Sequence, residues 1–234
     1  MQLFYAPNFT PPHYTLSEDE SKHAVRVLRL TIDSTIHITD GRGNLFRCEV
    51  SSTNPKRCEV VVREHFAEYN PLPYSLTICV APTKSADRYE WFLEKSTEIG
   101  VSEIVPLLTD HSERKVVKWE RDMRVVTAAV KQSLKAYHPN LHQLTTFTEL
   151  VKRPFDGDKF IAHCAPSDTK RPLPELLAKG GNVMILIGPE GDFSPEEVAL
   201  ARENGFRDIS LGTQRLRSET AAVVATTMVA VKNM

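Results

Sequence analysis

Short apolar runs separated by polar turns fill the first 68 residues of the chain. Four runs have the length and composition of strands, and they lie at residues 3–5, 35–40, 45–50 and 58–63. Gly41 and Gly43 stand between the second and third runs, and glycine adopts the positive φ of a tight turn without steric cost. The pattern predicts a small β-barrel that contains a hairpin.

One helix is predicted among these strands. Ser17 is followed by Glu20, the spacing of a capping box in which a hydroxyl and a carboxylate accept hydrogen bonds from free N–H groups. Pro71 and Pro73 then interrupt regular structure, because proline lacks an N–H donor and restricts the residue before it. We therefore expect one domain at residues 1–70 and a second at residues 71–234.

Strand-like and helix-like segments alternate beyond these prolines. The apolar runs lie at residues 76–80, 104–108, 144–147, 160–163, 183–187 and 209–211. Helix signals stand between them: Ser194, Pro195 and Glu197 form a capped helix start, and Gly205 follows the predicted helix end. This alternation predicts a mostly parallel sheet covered by helices.

A long helix is predicted from apolar residues that recur three and four positions apart. These residues are Val116, Trp119, Met123, Val126, Val130, Leu134 and Tyr137. The cations in the same stretch are Arg114, Lys115, Lys118, Arg121, Arg124, Lys131 and Lys135. Charge alone leaves two interpretations open, a local nucleic-acid site or a solvated helix face.

Bulk properties narrow the class of protein. The net charge is −1 and the pI is near 6.7, so any polyanion must bind a local patch. The chain lacks a run of about 18 apolar residues and the pattern of a signal peptide, which predicts a cytoplasmic protein with no membrane partner. The four cysteines form no Cys-x-x-Cys pair, so we expect reduced thiols and no metal site.

Two glycine-containing corners follow predicted strands. The first is the segment 188–193, and the second begins at Gly212 and leads into a helix rich in alanine and valine. In an open α/β sheet, ligands bind beyond the C-terminal ends of the strands. Together the corners could line one pocket, although either alone could be only a turn. The phosphate loops of ATP, GTP and dinucleotide sites and the hydrolase elbow are absent.

Motifs along nearly the whole chain resemble one known family. They are His23 with 27–29, Lys84, Arg88, Lys95 with 97–101, 112–114, Gln132 with Ser133, 187–191, and 211–212 with 216–221. In this order they resemble the ribosomal RNA small subunit methyltransferase E family, which lies within the knotted methyltransferases called SPOUT.

The resemblance implies an α/β protein. A PUA-like β-barrel at 1–70 would bind RNA, and a SPOUT-type domain at 71–234, with a mostly parallel sheet and a trefoil knot, would catalyse methylation. The expected cofactor is S-adenosylmethionine. Its contacts would fall on Leu186, Ile187, Gly188, Pro189, Glu190, Gly191, Leu211, Gly212 and Leu216.

The resemblance also implies the substrate. The family methylates N3 of one uridine in 16S rRNA and is dimeric. We therefore expect a homodimer that acts on this RNA within the 30S subunit. The expected RNA-binding residues are Arg29, Lys84, Arg88, Lys95, Ser112 and Arg114. Gln2 and Lys135 stand where the family commonly has arginine, and Asp192 and Ser218 are variants compatible with a turn and a helix cap.

Arg217 and Glu219 are the candidate catalytic residues. N3–H of uracil is a weak acid, so methylation there needs a proton acceptor or a cation that stabilises the uridinate. We hypothesise that Arg217 supplies the cation and that Glu219 orients it or accepts the proton, directly or through water. The alternative is that the two side chains form an ion pair that only holds the loop.

Two other functions remain open. A non-catalytic RNA-binding factor in ribosome assembly would not need both glycine corners, and their retention with Arg217 and Glu219 favours catalysis. A related knotted methyltransferase could act on transfer RNA or at another position. The N-terminal barrel and the segment 112–114 favour the small-subunit enzyme.

Overall fold

The computed structural model describes residues 1–234, which form two compact units. The first unit comprises Met1–Pro71 and Thr127–His138, and the second comprises Leu72–Val126 and Pro139–Met234. The chain leaves the first unit beside the two prolines at 71 and 73. The segment Thr127–His138, which the predicted boundary assigns to the second domain, belongs to the first unit instead.

A five-stranded sheet forms most of the first unit. Its strands are β1 (Leu3–Tyr5), β2 (His13–Thr15), β3 (Thr35–Thr39), β4 (Leu45–Asn54) and β5 (Arg57–Phe66). The order is β1-β3-β4-β5-β2, with β1 parallel to β3 and every other pair antiparallel. The four predicted strands and the hairpin are confirmed. The short strand β2 was not predicted, because its residues are mostly exposed and give no apolar run.

The helix α1 (Glu18–Lys22) continues into a π-helical turn, His23–Val27. Only half of the predicted capping box forms: the Ser17 hydroxyl accepts a hydrogen bond from the Glu20 N–H at 3.3 Å. The Glu20 carboxylate pairs instead with Lys131 Nζ at 2.7 Å. The ion pair therefore joins α1 to the segment 127–138 of the same unit.

A parallel sheet forms the second unit. Its strands are β6 (Ser75–Val80), β7 (Glu103–Leu108), β8 (Asn140–Leu141), β9 (Thr145–Thr146), β10 (Asp158–Ala162), β11 (Arg171–Pro172), β12 (Asn182–Ile187) and β13 (Arg207–Ser210). The order is β11-β13-β10-β12-β6-β7-β8, and β9 also pairs with β7. All pairs are parallel, as the alternating pattern predicts.

Helices cover both faces of this sheet. They are α2 (Ala86–Ile99), α3 (Trp119–Gln132), α4 (Phe147–Val151), α5 (Leu173–Leu176), α6 (Pro195–Glu203) and α7 (Ser218–Lys232). In β12, Val183, Ile185 and Ile187 pack in the core shared with α2 and α7, whereas Met184 and Leu186 pack in the core shared with α4 and α6. None of the helices has the length and apolar character needed to span a bilayer.

Two predicted elements are wrong at their ends. The long helix was expected to span Val116 to Tyr137, but α3 begins at Trp119 and ends at Gln132. Leu134 has a φ of 58°, which cannot continue a right-handed helix, and Tyr137 forms an antiparallel bridge with Arg42. Similarly, the run predicted as a strand at 144–147 is a two-residue strand followed by α4.

Candidate functional site

The site lies at the carboxyl ends of three neighbouring parallel strands. β10 pairs with β12 on one side and with β13 on the other, and its last residue, Ala162, lies opposite Ile187 and Ile209. The loops that follow these three strands therefore emerge at one edge of the sheet. Between them is a cavity of about 980 Å³.

Both predicted glycine corners line this cavity. Eight of the nine residues expected to contact the cofactor are among its lining residues: Ile187, Gly188, Pro189, Glu190, Gly191, Leu211, Gly212 and Leu216. The ninth, Leu186, does not line it. Because side chains alternate along a strand, Leu186 points into the core under α6.

Close packing favours glycine at two positions of the first corner. A Cβ atom on Gly188 would lie 3.2 Å from the ring of Phe193, and one on Gly191 would lie 3.0 Å from the Cβ of His111. The corner then enters α6 through a complete capping box, as predicted: the Ser194 hydroxyl accepts from the Glu197 N–H, and the Glu197 carboxylate accepts from the Ser194 N–H. Both glycines therefore let the backbone of the corner pack against its neighbours.

The second corner is open. Gly212 has a φ of 135°, and no atom lies within 4 Å of the position that a Cβ would take. Arg217, at the N-terminus of α7, is exposed and lines the cavity, and its guanidinium forms no hydrogen bond or ion pair. Glu219 is buried and does not line the cavity; its carboxylate lies 3.9 Å from Arg88 Nε. The alternative in which Arg217 and Glu219 pair with each other is not what the structure contains.

A buried carboxylate, Asp208 of β13, holds one wall of the cavity. Its side chain is 1% exposed and accepts hydrogen bonds from Arg202 Nη2 at 2.5 Å, Ser167 Oγ at 2.7 Å and Thr169 Oγ1 at 3.1 Å. Burial alone would raise the pKa of Asp208, but the Arg202 guanidinium and the two hydroxyl donors hold this pKa well below its usual range. The loop after β10 is thereby attached to β13 and α6.

Lys170 and His163 complete the same wall. Lys170 Nζ donates hydrogen bonds to the carbonyls of His163 at 2.8 Å and Ala165 at 2.7 Å. The His163 ring is buried, with Nε2 3.4 Å from Asp208 Oδ2 in a geometry that gives no hydrogen bond. Burial, and then the charge of Lys170, lower the pKa of His163, so the ring is neutral at pH 7.

Comparison with known families identifies the chain. The sequence model of a family described as "RNA methyltransferase domain" matches residues 70–230, and one described as "RNA methyltransferase PUA domain" matches residues 16–63. The chain belongs to the RNA methyltransferase family. The predicted fold class, a PUA-like domain followed by a methyltransferase domain with a parallel sheet, is confirmed.

Relatives agree with this family along almost their full length. A ribosomal RNA small subunit methyltransferase E from Bacillus subtilis is 27% identical over 92% of this chain and 88% of its own. A solved structure of a probable rRNA-methyltransferase from Porphyromonas gingivalis is 39% identical, with a TM-score of 0.92 over 100% of this chain and 98% of its own. A Neisseria gonorrhoeae ribosomal RNA small subunit methyltransferase E, solved with S-adenosylmethionine, is 26% identical, with a TM-score of 0.86 over 97% and 95%.

The cofactor of this methyltransferase is S-adenosylmethionine, and the cavity fits it. The volume is at the upper end of the range for small-molecule sites, and Ile187, Leu211 and Leu216 give it apolar surface. Glu190 and Asp192 add negative charge to a wall, which suits a cofactor that carries a sulfonium and an ammonium group. No three His, Cys, Asp or Glu side chains are grouped where they could hold a metal ion.

Two of the expected RNA-binding cations lie beside the methyltransferase cavity. The backbone N–H of Lys84 donates to Glu190 Oε1 at 3.1 Å, and its exposed ammonium pairs with Glu113 Oε2 at 2.9 Å. Arg88 is about half exposed and faces Glu219. Lys84 is therefore linked through its backbone to a residue that lines the cavity, whereas Arg88 faces a buried residue of α7 that does not line it.

The other expected RNA-binding residues are dispersed. Lys95 lies between Glu94 and Glu98, at 2.7 and 3.0 Å from their carboxylates, so its charge is locally balanced. Ser112 is buried and accepts a hydrogen bond from the Thr109 N–H. Arg114 Nε donates to a nearby carbonyl, and Arg29 is exposed on the first unit with a φ of 54°.

Sequence analysis missed the residues that hold the cavity together. Asp208, His111 and Asp192 bind groups of other loops, and Lys170 binds carbonyls of its own loop after β10. Asp192 was interpreted only as a turn residue. Their roles depend on β10 lying between β12 and β13. No sequence pattern specifies that order, so sequence analysis could not find this wall.

We predict that Asp208→Asn lowers the free energy of unfolding at pH 7 by about 1–3 kcal/mol, because the half-exposed Arg202 guanidinium and the two hydroxyl donors lose their buried anionic acceptor. The folded-state pKa of Asp208 lies below its unfolded value of about 4. Its stabilisation is therefore complete above about pH 5 and is lost as the pH falls, and the difference between variant and parent narrows below about pH 4. Denaturant unfolding at several pH values measures this.

Asp158→Asn is the matched control. Asp158 also pairs with an arginine, Arg207 at 2.7 Å, but both side chains are solvent-accessible, so its loss is expected to cost less than about 1 kcal/mol. Equal losses at 158 and 208 would mean that the buried network gives no special stability.

Proposed function

We propose that this protein transfers a methyl group from S-adenosylmethionine to N3 of one uridine in the 16S rRNA of the small ribosomal subunit. The observation that carries the proposal is the position of Arg217. It is a guanidinium without a partner at the edge of a cavity built from two glycine corners. The ribosomal RNA named for the relatives supports the substrate class.

The chemistry of N3 methylation places one main demand on the chain. When bound, S-adenosylmethionine supplies an electrophilic methyl group on its sulfonium. Uracil N3 becomes a good nucleophile only as its proton leaves, and the negative charge then spreads over the ring and its carbonyl oxygens. We assign the stabilisation of this charge to the Arg217 guanidinium, which lines the cavity and has no ion-pair partner.

Glu219 has a second role in the proposal. Its buried carboxylate faces Arg88, so it holds that cation at the site, or it accepts the N3 proton through water. Arg88 in turn is placed to contact an RNA phosphate. The base must leave its stack to reach the cavity, which favours a single-stranded or extruded uridine.

RNA binding is assigned to local cations because the net charge of the chain is −1. Lys84 and Arg88 lie beside the cavity, and Arg29 is exposed on the PUA domain. Arg114, Lys95 and Ser112 complete the proposed set. Phosphate contacts of this kind position the RNA, whereas contacts to base edges would specify the uridine.

Three further properties follow from family membership alone. We infer a homodimer, a trefoil knot around the cofactor cavity and a cytoplasmic location with 30S subunits as the substrate form. Each is supported by the motifs that the chain shares with the family.

The proposal is tested by incubating the full chain with labelled S-adenosylmethionine and either free 16S rRNA or 30S subunits from cells that lack the gene. The expected product is 3-methyluridine, identified by mass spectrometry of the nucleosides. Cofactor binding without transfer to either substrate would support a non-catalytic assembly factor. A different methylated nucleoside, or transfer only to another RNA, would replace the proposed specificity.

Arg217→Ala is expected to reduce turnover by on the order of 10²–10³-fold, as for removal of one group that stabilises an oxyanion. Its exposed side chain has no partner to lose, so the melting temperature should not change. Single-turnover kinetics and thermal unfolding measure the two effects. Arg153→Ala, which removes an exposed ion pair in α4, should retain parental turnover. Near-normal turnover of Arg217→Ala would reject the electrostatic role.

Lys84→Ala should weaken RNA binding and reduce the slope of log K against log salt by about 1. The Lys84–Glu113 pair is exposed and weak, so the ammonium can exchange Glu113 for a phosphate. Binding isotherms at several salt concentrations measure the slope. Lys152→Ala, an exposed lysine at the end of α4, is the control. An unchanged slope for Lys84→Ala would exclude a phosphate contact.

A further inference from the structure

Asp192 has an unusual backbone conformation within the first glycine corner. Its φ is 63°, in the left-handed region, which most residues with a side chain occupy only at an energetic cost. Asp192 also lines the cavity. A residue held in this conformation needs compensating interactions from its surroundings.

The carboxylate of Asp192 supplies two such interactions. Oδ1 accepts a hydrogen bond from the N–H of the next residue, Phe193, at 2.9 Å. Oδ2 accepts one from the N–H of Cys164 at 2.7 Å. The second bond crosses from the corner after β12 to the loop after β10, and both segments line the cavity. A bond from an N–H to an ionised carboxylate is about twice as strong as one between neutral groups.

A third loop meets the same residue. His111, in the loop after β7, has Nδ1 3.0 Å from the carbonyl oxygen of Asp192 and 3.1 Å from that of Gly191. Because carbonyl oxygens only accept, Nδ1 carries the proton and donates to both. The backbone of residue 192 is therefore held by His111, while its carboxylate holds Cys164.

We propose that Asp192 is a positioning residue for the cofactor. Its carboxylate ties the loop after β10 to the glycine corner after β12, so that two walls of the cavity keep one spacing before S-adenosylmethionine binds. The inference rests on the cofactor of the proposed function. Preorganisation of this kind lowers the ordering cost of binding, and its loss weakens affinity more than stability.

The test compares three variants with the parent chain. Asp192→Gly removes both side-chain bonds and also relieves the left-handed strain. Asp192→Asn keeps an amide oxygen as acceptor and tolerates the same φ. Asp33→Gly is the matched control, since Asp33 has a φ of 65° on the first unit, is exposed, and makes no side-chain hydrogen bond.

Two readouts do not depend on activity. Isothermal titration with S-adenosylmethionine alone should give a Kd raised about tenfold in Asp192→Gly, by less in Asp192→Asn, and unchanged in Asp33→Gly. Amide hydrogen exchange at Cys164 should accelerate in Asp192→Gly, while its melting temperature stays at or above that of the parent. In turnover assays, KM for the cofactor should rise with little change in kcat.

The outcomes separate this inference from the proposed function. Faster exchange at Cys164 with an unchanged Kd would overturn the positioning role. A rise in Kd that Asp33→Gly shares would overturn it as well, because the effect would then not be specific to residue 192. A parent chain that does not bind S-adenosylmethionine would overturn the cofactor assignment together with this inference. If the parent chain binds the cofactor tightly but does not methylate the RNA, the proposed function is rejected, and the comparison of the Asp192 variants still tests the positioning role.

Discussion

The cavity depends on the parallel pairing of β10 with β12 and β13. Parallel strands end at the same edge of a sheet, so this pairing brings together three loops that are far apart in the sequence. The loops that meet at this edge of the sheet expose backbone N–H and C=O groups, and these groups need hydrogen-bond partners wherever water is excluded. Charged side chains provide the partners here. Asp208 accepts hydroxyl donors from the loop after β10, Lys170 donates to that loop's carbonyls, and Asp192 accepts one of its N–H groups.

Ion pairing in the methyltransferase domain leaves two arginines of the cavity, Arg215 and Arg217, without a carboxylate partner. The paired cations near the cavity have the following partners: Lys84 with Glu113, Arg88 with Glu219, and Arg202 with Asp208. Arg217 lines the cavity and has no such partner. An exposed cation loses little stability by remaining unpaired, because an exposed ion pair contributes little. Its charge is then available to a ligand, which is the property that charge stabilisation during methyl transfer requires.

Short sequence patterns predicted most strands and helices. The end of α3, the partner of Glu219 and the strand order depend on tertiary contacts and could not be predicted from these patterns. Apolar runs located most strands, and the Ser194 capping box located α6, because these patterns depend on near neighbours in the chain. The end of α3 was missed because the three-and-four spacing continues to Tyr137, although that residue is partly buried and forms a bridge with Arg42 rather than lying on a helix face. Glu219 was expected beside Arg217, but residues two positions apart at a helix start do not face each other, and Glu219 faces Arg88 of α2. Strand order has no sequence signature, so the partners of Asp208 and Asp192 could not be found.

The charged groups of the site therefore divide into two kinds by burial. Asp208 and Glu219 are buried, where a charge without a partner is costly, so each holds a cation or a loop in a fixed position. Lys84, Arg88 and Arg217 are exposed, where charge is cheap and can change partner when an anion arrives. The buried carboxylates therefore fix the shape of the cavity, whereas the exposed cations attract RNA. A chain with a net charge of −1 can therefore still present a local group of exposed cations to a polyanionic substrate.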